Sequence, residues 1–187
     1  MGKRKSRGIS TVISTVILTF TMLIIVLSTS AFVTEVFNVQ AENVEFEQAE
    51  YVMLTLANSI NGIIFKPQSS SYIRTGFRTT MPQLTDTGEN MTIRIDDNIT
   101  ATIPIRTISI QGGSRVDVSE SNLVGGEELL LTDISNPLHR IYIDRNNRAE
   151  VVLDYSRIRC IYLGTSTFYN GSGSELYNVI ELTLIHI

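Results

Sequence analysis

The chain has little of what catalysis or covalent cross-linking requires. Of its 187 residues, one is cysteine and two are histidine. Cys160 on its own excludes an intrachain disulfide and any zinc-finger spacing. His139 and His186 have no Cys, Asp or Glu at ligand spacing, so no metal site is expected. Gly112-Gly113 and Gly125-Gly126 form no phosphate-loop or dinucleotide fingerprint, because no lysine follows them. Asp96-Asp97-Asn98 lacks the spacing and closing glutamate of a calcium loop and reads as a hairpin turn. No Ser–His–Asp arrangement stands out. Charge is scarce as well, at 18% of residues and a net −4, which gives no reason to expect a nucleic-acid partner. These shortages point away from an enzyme and from any cofactor.

The most informative absence is local. No charged residue occurs from Ile9 to Thr34. That stretch is long enough to cross a hydrocarbon core of roughly 30 Å at about 1.5 Å per helical residue. Before it stand Lys3, Arg4, Lys5 and Arg7 with no acid, so everything after Gly8 carries −8. After it come Glu35, Glu42, Glu45, Glu47 and Glu50, with no base before Lys66. Bases before a span and acids after it set the amino terminus inside and the remainder outside. A single-span membrane protein with an external carboxy-terminal head is expected.

Proline and glycine are also missing, from Ile9 to Asn61, so nothing stops the helix at the membrane surface. Beyond Glu35 the apolar residues Val36, Val39, Val44, Phe46, Ala49, Val52, Met53, Leu56 and Ile60 recur mostly at steps of three or four, the spacing of one helical face. One helix of roughly 85 Å is predicted, apolar all round in its first half and amphipathic in its second. Lys66-Pro67 is the expected terminator. Thr11, Thr15 and Thr19 form a hydroxyl stripe along the span. It could hydrogen-bond between helices or satisfy carbonyls one turn back in its own helix.

Three readings of this amino terminus compete: a cleaved secretory signal, an uncleaved anchor, and a short basic leader cut after a glycine. The apolar core exceeds the usual 7–15 residues of a secretory signal. The third reading fits Lys3-Arg4-Lys5-Ser6-Arg7-Gly8 followed directly by Ile9. Here the chain resembles an archaeal type IV pilin or pilin-like protein with a class III (prepilin-type) signal peptide. In that family a mature start similar to Ser-Pro-Val-Ile-Gly follows the leader. The matching stretch is Ile9-Ser10-Thr11-Val12-Ile13-Ser14, with Thr11 for the proline, Ser14 for the glycine, and Ile13 where bacterial pilins place a glutamate. The resemblance covers about the first 65 residues. It implies cleavage between Gly8 and Ile9 by a prepilin peptidase, and then packing of the apolar helices with copies of the chain or related pilins by an assembly machinery.

From about residue 72 the apolar period changes from 3.6 to 2. Met91, Ile93 and Ile95 alternate with polar residues. Ile99, Ala101, Ile103 and Ile105 share a phase that switches near Pro104, as at a bulge or edge. Further strands are predicted at 115–118, 128–132, 140–144, 150–155, 158–163 and 176–187, with turns such as Asn136-Pro137 and Asn146-Asn147 between them. Short alternating strands with a turn about every ten residues predict an antiparallel, sandwich-like head. Cys160 alternates with Ile158 and Tyr162 and is expected in the core. Asn90, Asn98 and Asn170 fit the glycosylation pattern within predicted turns, although a chain with twelve asparagines meets so short a pattern by chance.

The expected class is therefore α+β: a leader at 1–8, a long helix at 9–66 that spans a membrane over about 9–34, and a β-rich head at 67–187. The expected role is a structural subunit of a surface filament. The alternative is a monomeric extracellular binding domain on an uncleaved anchor.

Overall fold

The computed structural model describes residues 7–64, 66, 68–77, 81–95, 99–126, 130–169, 171 and 173–185, with backbone alone at 7–10, 95, 99 and 100. The class is the expected one, a long amino-terminal helix followed by a head of mainly antiparallel strands. Helix α1 runs from Arg7 to Ile63, unbroken because it holds no proline, and no glycine between Gly8 and Gly62. It stops three residues short of the expected end at 66. The Ile63 carbonyl accepts from the Lys66 amide at 2.8 Å and from the Ser69 hydroxyl at 3.4 Å. Pro67 lies outside the described residues.

Eight strands follow: β1 Gln83–Ile95, β2 Ile99–Gln111, β3 Ser121–Val124, β4 Leu131–Thr132, β5 Arg140–Asp144, β6 Glu150–Asp154, β7 Ile158–Tyr169 and β8 Ser174–Leu184. Five form an antiparallel sheet in the order β1-β2-β6-β5-β3, and three form a smaller sheet, β4-β7-β8. Among the described residues only the two-residue β4–β7 pairing is parallel. The phase switch near Pro104 marks a real irregularity, but the inserted residues lie on the partner strand. Between Asp86 and Asn90 the register of β1 shifts against β2. There Gly88 takes φ 75° and its amide donates to Asp86 Oδ1 at 2.9 Å. Residues 115–118 form no strand, and of 128–132 only Leu131–Thr132 pairs, with 127–129 outside the described residues.

The chain divides into two compact units, Met1–Glu42 and Asn43–Ile187. In the second, the last turns of α1 supply one wall of the core. Phe46, Ala49, Val52, Met53 and Ala57 are buried with Ile110 of β2, Ile141 and Ile143 of β5, and Val151 and Leu153 of β6. The helix residues follow the i, i+3, i+4 face, and each large buried side chain contributes about 1.5–3 kcal/mol of transfer free energy. Val36 and Val44, expected on that face, are exposed. Gly112 makes the close packing possible. A Cβ there would lie 2.7 Å from Phe46 Cδ2 and 3.1 Å from the Ala149 carbonyl oxygen.

Candidate functional site

In the unit Met1–Glu42 the candidate site is the surface of α1 itself. Val12, Ile17, Leu18, Phe20, Leu23 and Val26 point in all directions around the helix and are all more than half exposed. Among the described residues this is the one helix long and apolar enough to cross a membrane, and none of them covers its most apolar stretch. A helix apolar all round needs a dry surrounding on every side. Lipid or the apolar helices of other chains can supply one.

The hydroxyls of this stretch turn inward. Thr15 Oγ1 donates to the Thr11 carbonyl, and Thr19 Oγ1 to those of Thr15 and Val16, each at 3.0 Å. Thr21 and Thr34 do likewise toward Leu18 and Ser30, at 2.9 Å. Of the two readings of the stripe, these bonds match the satisfaction of carbonyls within one helix. What these four threonines leave to the surroundings is uncharged and dominated by apolar side chains.

Of the residues expected at the leader, Lys3, Arg4 and Lys5 lie outside the described residues. The backbone of Arg7, Gly8 and Ile9 is already helical. Among the three sequons, Asn98 and Asn170 are not described. Asn90 is exposed, but it sits within β1 beside the bulge and not in a turn.

The titratable groups of the head serve its packing. His139 is buried, with Nδ1 3.1 Å from Asn61 Nδ2 on the helix and its ring 5.7 Å from that of Tyr155. Burial, and then the charge of Arg157, push its pKa below the usual 6.5. Burial also raises the Tyr155 phenol far above its ordinary value. That hydroxyl donates to the Ala57 carbonyl at 3.3 Å, so two side chains from the β-region reach the same end of α1. Arg157, unremarked in the sequence, is buried and donates to the Gly126 carbonyl at 3.3 Å. Gly125 lets it pass: at φ 92° a Cβ would stand 2.8 Å from the guanidinium. Nothing in the local pattern distinguishes Arg157 from a solvent-facing arginine.

On the helix, Glu50 has a raised pKa through burial and the neighbouring Glu47. Arg140 lies 4.3 Å over the Tyr142 ring and grips Asn122 Oδ1 at 3.1 and 2.9 Å, tying β5 to the edge strand β3. Cys160 is exposed, not in the core, and among the described residues no group of His, Cys, Asp and Glu could hold a metal. His186 lies outside the described residues. Compared with protein families, curated proteins and solved structures, the chain matches none.

Proposed function

We propose that the chain is a pilin-like structural subunit, not a catalyst. It is inserted with its amino terminus in the cytoplasm and its head outside, freed of a leader between Gly8 and Ile9, and built into an archaeal type IV pilus-like filament through its apolar helix. Its partners on this reading are copies of itself and related pilins, a prepilin peptidase and the assembly machinery. The observation that carries the reading is the contrast within α1. An uncharged surface exposed on all sides runs on, without a helix break, into a stretch one face of which is committed to the head. Extraction of such a helix from lipid requires an equally dry destination, and a bundle of identical helices is one.

The deciding measurement is the amino-terminal sequence of the protein recovered from native membranes and from sheared surface material. A chain starting at Ile9 supports the proposal, and Gly8→Val should then block processing, because a peptidase that accepts glycine before the cut has no room for a branched side chain. An intact leader on all of the protein would make it an anchored monomeric domain instead. A start near Phe32 would indicate secretion.

A further inference from the structure

A second uncovered apolar surface lies in the head, on the ribbon β7–β8. Its strands pair from Ile158↔Leu184 to Tyr169↔Ser174, with one register shift between Tyr162 and Gly164 that places Leu163 of β7 in a bulge, but β4 supports only the base, at Ile158 and Arg159. From Cys160 onward β7 has no second neighbour among the described strands, and β8 has none along its outer edge. A two-stranded ribbon left alone in water is marginal at best.

The two faces of the ribbon differ. The face with the pairs Cys160↔Leu182, Tyr162↔Ile180, Thr165↔Asn178 and Thr167↔Leu176 carries no charge. The opposite face holds Arg159, Glu181 and Glu175. Its rings are already engaged, with Phe168 and Tyr177 edge to face at 5.6 Å and the Tyr177 hydroxyl donating to Glu175. On the uncharged face Tyr162, Leu176, Ile180 and Leu182 are 61%, 75%, 55% and 47% exposed. Together they present on the order of 450 Å², comparable to the ~300–600 Å² of a monomer's largest apolar patch.

We infer that this face is a contact between two copies of the chain, ribbon against ribbon about a two-fold axis. Charge selects the occupant first. Two uncharged faces meet without repulsion, whereas an anionic membrane or a nucleic acid would need bases that this face lacks. Relief selects it second. The ridge Tyr162–Ile180 stands about 7 Å from the dip Thr165–Asn178, a two-residue step along β8 and, across the bulge, a three-residue step along β7. An axis between them seats each copy's ridge in the other's dip, the self-complementarity that an isologous contact requires. Area agrees in order of magnitude, since the four large side chains supply roughly half of the ~800 Å² that each partner gives a stable dimer and the exposed Cys160, Thr165, Thr167 and Asn178 add to it. The contact goes beyond the helix packing proposed above and does not depend on it.

The test uses the full chain in native membranes, with Cys160→Ser removing the native thiol. Single cysteines are introduced by Thr165→Cys or Asn178→Cys on the uncharged face, and by Glu181→Cys on the other, before treatment with a short bismaleimide. Cross-linked dimer from the first two, and little from the third, is expected. Equal yields from both faces, or none from Thr165→Cys and Asn178→Cys in intact, membrane-held protein, would overturn the contact. Thr165→Asp and Ile180→Lys, each added to the Asn178→Cys chain, should lower the yield about tenfold or more, because each buries an unpaired charge. Co-expression of the two charged chains should restore it, since position 165 of one copy faces the Tyr162–Ile180 pair of the other and lies within reach of a lysine at 180. Loss without restoration would mean that the face serves a partner other than a second copy. N-terminal processing, read on the same samples, reports on the pilin-like reading separately.

Discussion

Two stretches of one helix obey different rules. Between Thr11 and Phe37 apolar side chains cover every side and are exposed, Leu23 by 56% and Phe37 by 64%. Between Phe46 and Ala57 the buried ones, Phe46, Ala49, Val52, Met53 and Ala57, keep to one face, with Met53 covered completely. Intrinsic helix propensity does not separate the two, for both are unbroken helix. The distribution of apolar residues does. A one-sided stripe carries the address of a cover within the chain, here β2, β5 and β6, while an all-round stripe assigns its cover to something outside.

The comparison is broken most severely by cutting the chain. A fragment of residues 43–187 should fold, whereas 67–187, which loses Phe46, Ala49, Val52, Met53 and Ala57 from the core, should not. Circular dichroism and a cooperative urea transition distinguish them. A folded 67–187 fragment would show the helix to be an accessory to the sheet.

Single truncations sharpen the contrast. Met53→Ala in the 43–187 fragment should cost about 2–5 kcal/mol, the range for a large side chain removed from a core that collapses only in part, read as a lower urea midpoint at unchanged slope.

A smaller effect comes from His139. Its pKa is depressed in the folded head, so unfolding takes up a proton between that lower value and 6.5. Stability is therefore full above 6.5 and declines as the pH falls through the folded pKa. The urea midpoint should fall on acidification from about pH 7.5 to about pH 5. Glu50, with a raised pKa, works in the opposite sense at lower pH, so the comparison is between the parent and His139→Gln, which should show the shallower decline. Parallel profiles would assign the titration to another group.

The smallest effect on the head comes from the exposed stretch. Leu18→Ala or Leu23→Ala should leave head stability in the full chain within about 0.5 kcal/mol and, on the pilin-like proposal, leave membrane insertion intact yet reduce filament recovery. Unchanged recovery with alanine at Leu18, Phe20 and Leu23 would argue against a tightly packed helical bundle.

Periodicity made the faces legible but not their covers. Strands β5 and β6 were readable because Ile141, Ile143, Val151 and Leu153 alternate or cluster and are then covered. Edge strand β3, Ser121–Val124, carries no such alternation and was missed. Cys160 does share a face with Ile158 and Tyr162, as its spacing implied, but the cover ends at Ile158, so the thiol is exposed. Val44 failed for the same reason at the start of the packed stripe. Of the candidate site, the apolar surface and its flanking charges were plain in the sequence. The inward turn of Thr15 and Thr19 was one of two options until their carbonyl partners were located. The buried Arg157 depends on Gly125, thirty-odd residues away, and no local pattern reports that.

The hydrogen bond from Tyr155 to the Ala57 carbonyl joins residues 98 apart in sequence, and that separation has a temporal meaning. During synthesis at ~5–20 residues per second, the stripe from Phe46 to Ala57 leaves the ribosome roughly 5–20 s before β6 and Tyr155 exist to cover it. For that interval the amphipathic turns are bare, directly behind a segment long and apolar enough to cross a membrane. Vectorial order thus makes the waiting stripe, and not the finished head, the stage at which this chain is most open to capture by chaperones, by the membrane surface, or by another unfinished copy.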